Sequence, residues 1–238
     1  MRIPRIFLPT PLAADALVTL DSTAANHVTR VLRLKPGAEL VLFNGEGGEY
    51  PAVLETAATA RLGACRASEC ESPLAITLVQ GISRAERMDY TIQKAVELGV
   101  TRIVPVFAAR SVVELRGERL QRRMQHWQGV AIGACEQCGR NRVPPLDAAM
   151  DLSDWLRIAA APSLRLVLNH RAISTLGALP APTALTLLIG PEGGLEESEL
   201  EQAERADFIG MRLGPRVLRT ETAAVAALAA LQTLWGDF

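Results

Sequence analysis

Over roughly the first 70 residues the apolar positions fall in short runs broken by turn-forming residues. The stretch "AELVLFNGEGGEYPAVLE" joins two such runs through Asn44-Gly45-Glu46-Gly47-Gly48. Asn and Gly accept the positive φ of tight turns, so this predicts a β-hairpin. Lys35-Pro36-Gly37 marks a further turn. In "AANHVTRVLRL", Val28, Val31 and Leu32 recur at helical spacing, which leaves Arg30 and Arg33 free to point elsewhere. The polar "SECESPL" contains Pro73, and a boundary is expected near residue 72. Residues 1–72 therefore read as a small β-barrel.

Beyond it, apolar runs alternate with helical periodicity. Strands are expected at 75–82, 102–108, 164–170, 185–190 and 207–214. Helices are expected at 87–99, closed by Gly99, and at 117–139 and 153–161. Two more follow: 196–206, acidic at its positive end, and 220–235, capped by Thr220. Such alternation predicts an α/β domain over 73–238, with a mostly parallel sheet covered on both faces.

Composition narrows the class. With 49% hydrophobic and 21% charged residues the chain is ordinary for a globular protein. No apolar run reaches the roughly 18–20 residues of a membrane span. The opening "MRIPRIFLPT" lacks the apolar core and cleavage site of a signal peptide, so a cytoplasmic protein without membrane contact is expected. A net charge of −1 argues against simple coating of nucleic acid. The charge is uneven, however: residues 1–142 carry +4 and residues 143–238 carry −5. Nearly all the cations are Arg, which favours bidentate contacts to phosphate, though a GC-rich genome explains the same usage. Cys135 and Cys138 form a C-x-x-C inside a helical pattern, and Cys65 and Cys70 lie far upstream at the wrong spacing for a zinc site. They read as structural thiols, and no metal is expected.

The chemistry concentrates at three strand ends, where ligands of open parallel sheets bind. Gly190-Pro191-Glu192-Gly193-Gly194 follows an apolar run, yet lacks both the Lys-Ser/Thr of a P-loop and G-x-G-x-x-G spacing. Glu192 would repel a phosphate, so the turn calls for a ligand that tolerates a negative charge. Asn169-His170-Arg171 ends a second strand. "LGPRVLRTETA" at 213–223 ends a third, with Arg216, Arg219, Thr220 and Glu221 at the mouth of a helix.

The strings "QKAVELGV", "EQCGRNRVP", "LIGPEGG" and "LGPRVLRTETA", in that order, closely resemble the RsmE-type family. These are SPOUT-class methyltransferases acting on N3 of a uridine in small-subunit ribosomal RNA. "HVTRVLRLKPGAELVLFNGEGGEY" is similar to that family's opening PUA-like RNA-binding domain, and "WGDF" to its close. Cys138 departs from the commoner serine. The resemblance implies a C-terminal trefoil knot, S-adenosylmethionine as cofactor, a homodimer, and ribosomal RNA as partner, in the assembled small subunit.

Under that resemblance Leu213, Gly214, Leu218 and Thr220 supply backbone contacts around the adenine, with Leu168 and Ile189 nearby. Asn169 and His170 lie at the cofactor edge, and the bare backbone of Gly190, Gly193 and Gly194 lets the ligand approach. Glu192 sits beside the sulfonium and ammonium charges. The uridine imide must lose its N3 proton, so an Arg stabilising the anion and a carboxylate taking the proton are needed. Arg140, Arg219 and Glu221 are the candidates, with Glu136 secondary. Glu136 and Arg140 stand at i and i+4 and equally suit a mutual ion pair. Arg2, Arg5, His27, Arg30 and Arg33 form the expected RNA grip. Lys94 and Glu97 suit either an interface or a solvated pair. Methylation of another RNA atom, or a non-catalytic RNA-binding assembly factor, remain alternatives.

Overall fold

In a computed structural model of the chain, which describes residues 3–113, 115–158, 164–174 and 179–238, two units form. The first comprises residues up to Glu71 together with Ile132–Val143; the second comprises Ser72–Ala131 and Pro144–Phe238.

The first unit holds a sheet of β1 (Arg5–Phe7), β2 (Leu17–Thr19), β3 (Glu39–Phe43), β4 (Tyr50–Thr56) and β5 (Thr59–Leu62), in the order β1-β3-β4-β5-β2. β1 runs parallel to β3 and the other pairs are antiparallel. The hairpin at 44–48 links β3 to β4, with Gly45, Gly47 and Gly48 at positive φ. Alternation sets the core: Leu40, Leu42, Ala52, Leu54, Ala60 and Leu62 are buried together, while Val53 between two of them is exposed.

The helical stretch near His27 is less regular than its spacing predicts. α1 (Ser22–Asn26), capped by the Asp21 carboxylate, passes directly into a π-helical turn at His27–Val31. That wider turn still buries Val28 and leaves Arg30 and Arg33 exposed. Arg33 takes a left-handed φ of 54° where the chain leaves the turn.

The second unit is a parallel sheet of β6 (Ala75–Gly81), β7 (Arg102–Phe107), β8 (Met150–Asp151), β9 (Leu164–Leu168), β10 (Ala184–Ile189) and β11 (Ile209–Met211). The order is β11-β9-β10-β6-β7-β8, and every pairing is parallel. Helices α2 (Ala85–Glu97), α3 (Gly117–Cys138), α4 (Leu152–Ile158), α5 (Glu197–Arg205) and α6 (Thr220–Trp235) connect or follow these strands. Residues 159–161 of the expected fourth helix lie outside the described residues. β10 is buried from Leu185 to Ile189, as a strand covered on both faces must be. Among the described residues no helix is long and apolar enough to cross a membrane.

α6 is tied down at both ends. Near its C-terminus the buried Gln232 donates to Leu98 O at 2.8 Å and accepts from Ser72 Oγ at 2.7 Å. At its start, Thr220 does not cap the helix as its type suggested. Arg219 occupies the cap position without a side-chain hydrogen bond. The Thr220 hydroxyl instead donates to Gly190 O at 2.7 Å and accepts from Gln80 Nε2 at 3.0 Å. One buried hydroxyl thereby pins the end of β6, the end of β10 and the start of α6 together.

Candidate active site

β11, β9 and β10 are neighbours in one parallel sheet, so their carboxyl-end loops open on the same side. Between these loops lies a cavity of about 410 Å³, within the usual range for small-molecule sites. Leu168, Asn169, His170, Ile189, Gly190, Glu192, Gly193, Gly194, Leu213, Leu218 and Thr220 all line it. Gly214 does not, although it stands in the same loop with φ 71°. Leu168, Ile189, Leu213 and Leu218 provide apolar wall. The Asn169 side chain accepts from Arg171 N at 2.9 Å, which shapes its own loop.

At Gly193 the glycine has a cause besides ligand approach, since the protein itself fills the space, whereas Gly194 has nothing within 4 Å of an added Cβ. A Cβ on Gly193 would stand 2.7 Å from Arg110 Cβ and 3.1 Å from Arg110 O. Arg110, from the loop after β7, lines the cavity and donates to Gly193 O at 3.3 Å. Glycine is needed at this position so that two chain segments can touch.

Glu192 is likewise held by its own chain. Its Oε1 accepts from Arg84 N at 2.9 Å and lies 3.6 Å from Arg87 Nη1. Arg87 also faces Glu221, at 3.8 Å from Nε to Oε1. One guanidinium at the start of α2 thus stands between the carboxylates of the β10 turn and of α6. The second oxygen of each carboxylate is buried without a hydrogen-bond partner among the described residues. The three groups together carry a net charge of −1, which suits a cationic ligand better than an anionic one.

The catalytic candidates separate. Arg219 is exposed, and neither it nor Glu221 lines the cavity, although both flank Thr220, which does. Arg140 belongs to the other unit, where its side chain is 4% exposed and grips Glu71 through both Nε and Nη2. Burial works against its charge, and the Glu71 carboxylate outweighs that, so its pKa rises. The alternative of an Arg140–Glu136 pair is also corrected: Glu136 accepts from Phe7 N at 2.9 Å and faces His27 Nδ1 at 3.7 Å. Replacing Arg140 by Met is expected to leave the Glu71 charge unpaired and to destabilise the protein by about 3–5 kcal/mol. Denaturant unfolding checks this; an unchanged midpoint would mean the pair is dispensable for folding.

Of the expected RNA grip, Arg30 and Arg33 are exposed and His27 is half-buried against Glu136. Arg2 lies outside the described residues. Arg5 is a correction. Its guanidinium is taken up by Glu49, Asn141 and the Arg140 carbonyl, stacked 5.0 Å above the Phe43 ring. With its side chain 9% exposed and its one unpartnered nitrogen, Nε, buried, it presents no donor to a phosphate at the surface.

Burial pushes the Glu136 carboxyl above the ordinary carboxylate range, against the opposing pull of the Phe7 N–H, His27 and Arg5. A carboxyl with a raised folded pKa holds its proton more tightly in the fold than in the unfolded chain. Stability therefore falls as pH rises from the unfolded value through the raised one. Glu136→Gln, which still accepts from Phe7 N, is expected to remove that slope; unfolding midpoints measured across this window check it. Cys135, fully buried, is pushed up to about 12 mainly by burial, and at neutral pH is an inert thiol.

Gln80, Gly81, Arg87, Arg110 and Arg212 are not singled out by the sequence as site residues, and Arg216 is named there only by its place in the third loop. Gln80 alone carried a signal, a polar side chain ending an apolar strand.

The three-loop cavity at the carboxyl ends of a parallel sheet is the usual place for a small-molecule ligand, and known proteins make the class that of an RNA methyltransferase. The RNA methyltransferase domain family matches residues 70–232, and the RNA methyltransferase PUA domain family matches residues 20–61. The chain is 34% identical over 241 residues to the ribosomal RNA small subunit methyltransferase E of Buchnera aphidicola subsp. Schizaphis graminum, covering 99% of this chain and 98% of that one. To its namesake in Mycobacterium tuberculosis it is 33% identical over 228 residues, 92% and 87% of the two chains. Among solved structures it matches a ribosomal RNA small subunit methyltransferase E from Neisseria gonorrhoeae bound to S-adenosyl methionine, with 40% identity, TM-score 0.93 and full coverage of both chains. A chain from Legionella pneumophila described as a methyltransferase, in complex with the bound cofactor SAM, matches with 39% identity, TM-score 0.97 and full coverage of both. The chain belongs to the ribosomal RNA small subunit methyltransferase E family.

Proposed function

We propose that this protein transfers a methyl group from S-adenosylmethionine to N3 of a uridine in small-subunit ribosomal RNA. It works in the cytoplasm as a homodimer on the assembled subunit. The observation that carries this reading is the cavity between the β9, β10 and β11 loops, in a chain that aligns over its full length with two cofactor-bound relatives. The fit to the cofactor rests on the cavity itself. Its apolar wall suits an adenine, and the Glu192 carboxylate that lines it suits a sulfonium or an ammonium. When bound, the cofactor supplies an electrophilic methyl group.

The chain's own residues supply the rest. Leu213, Leu218 and Thr220 and the turn from Gly190 to Gly194 enclose the adenosyl part, with Leu168, Asn169, His170 and Ile189 completing the edge. Arg219, exposed and one residue before α6, stabilises negative charge developing on the uracil carbonyls. Glu221 is the proton acceptor for N3; its Oε2 is buried next to Thr220 with no hydrogen-bond partner among the described residues. Arg140, tied to Glu71, acts by holding its own unit together. The C-terminal trefoil knot implied by the family resemblance is supported by the start of α6 lying at the ends of β6 and β10 rather than beside β11, which precedes it.

Cofactor binding has a direct test. At about 100 times its Kd, S-adenosylmethionine should stabilise the native protein by roughly 2.7 kcal/mol, read as a higher melting temperature. No shift at saturating cofactor would remove the methyltransferase reading.

A further inference from the structure

The cavity is lined by more positive charge than its cofactor can use. Arg110, Arg171, Arg212 and Arg216 all line it, and all are exposed. S-adenosylmethionine carries a sulfonium, an ammonium and a single carboxylate, so one guanidinium at most has a partner on it. Four guanidiniums around a cationic ligand would repel it unless they serve something else. The acids nearby do not neutralise them. Glu192 is engaged by Arg84 and Arg87. Glu197 meets Arg171, and Glu196 meets Arg110, only at 3.8 Å each, between largely solvent-exposed side chains, pairings worth little.

The loop between β11 and α6 carries the pattern furthest. Arg212, Arg216 and Arg219 fall within eight residues, all exposed, and among the described residues none has a side-chain hydrogen bond or ion pair. Arg122, Arg157 and Arg205, on helical surfaces, each pair with an acid one turn away. In this loop the adjacent acid, Glu221, turns instead to Arg87. Val217 is 76% exposed among these cations, an apolar contact of the kind a ribose or base accepts. Exposed arginines at a reaction cavity that are unpaired, as in this loop, or only loosely paired, as Arg110 is with Glu196, fit a polyanion that arrives with the substrate. For a base to reach the cofactor it must leave its stack, which brings its flanking phosphates to the cavity mouth.

We propose that Arg212 and Arg216, with Arg110 beside Gly193, bind the phosphodiester backbone flanking the target nucleotide. The catalytic unit thus has a phosphate grip of its own, separate from Arg30 and Arg33 on the first unit. This rests on the reading that RNA is the substrate. Phosphate contacts of this kind position the strand without reading its sequence.

The test is the Arg212→Gln/Arg216→Gln double variant, assayed on small ribosomal subunits from cells lacking the modification. Losing two single-strand phosphate contacts should flatten the slope of log affinity against log salt by about 1.4. The KM for subunits should rise roughly tenfold. Cofactor affinity, kcat at saturating subunits and the oligomeric state should hold, and the Arg212→Lys/Arg216→Lys variant should recover most of the loss. An unchanged slope and KM overturn the proposal. So does a loss of cofactor affinity, which would make these arginines cofactor ligands, or dissociation of a wild-type dimer, which would make them interface residues. If wild type itself shows no salt-dependent capture of subunits, the substrate reading fails first and this proposal falls with it.

Discussion

A Gly81→Ala variant is expected to fold and to bind S-adenosylmethionine on the order of 100-fold more weakly, equivalent to about 2.7 kcal/mol. Gly81 ends β6, and Gln80 before it is in register with Ile189, so the strand end runs against the first residues of the Gly190–Gly194 turn. A Cβ on Gly81 would stand 2.5 Å from Pro191 N and 2.8 Å from Gly190 C. Both are backbone atoms, which no rotamer change can move aside, so the turn itself must shift. The same substitution at Gly133, on α3 with nothing within 4 Å of the added Cβ, is the control. It should leave cofactor affinity alone and stabilise the helix by about 0.5–1 kcal/mol. Equilibrium binding of labelled cofactor reads both; wild-type affinity in Gly81→Ala would mean the turn is not part of the cofactor site.

Thr220→Val should lose stability and cofactor affinity together. Valine matches threonine in shape but lacks the hydroxyl that joins Gln80, Gly190 and α6. The Gly190 carbonyl loses its donor, and the Gln80 amide keeps only Gly81 O, in a side chain that is fully buried and whose Oε1 already lacks a partner. Such losses cost about 1–3 kcal/mol in a buried site. Thr220→Ser, which keeps the hydroxyl, should stay near wild type in both readouts. A Thr220→Val protein that melts and binds like wild type would show that the cross-tie holds nothing.

These two residues mark where the sequence was readable and where it was not. The alternation of β6 to α6 was legible because strand and helix periods differ and because Gly99 and the acids of α5 punctuate them. Cavity residues were legible where unusual types clustered, as in Gly190–Gly194 and Leu213–Thr220. Partners distant in sequence were hidden. Nothing local announces that Arg140 reaches Glu71 rather than Glu136, or that Arg5 is spent on Glu49 and Asn141. Thr220 at a helix start reads as a cap from its type alone, yet a strand end 30 residues earlier claims its proton. Gly81 looks like any strand terminus until Pro191 is seen beside it. Residues 132–143 extend a helix pattern but belong with the first unit, through contacts from Glu136 and Asn141 that no periodicity encodes.

The central claim is tested most directly by incubating the protein with labelled S-adenosylmethionine and small ribosomal subunits that lack the modification, then identifying the labelled nucleoside by mass spectrometry. Label is expected in 3-methyluridine, and is expected to be lost in Gly81→Ala at limiting cofactor. Label in a ribose-methylated or guanine-methylated nucleoside, or cofactor binding with no transfer at all, would contradict the claim.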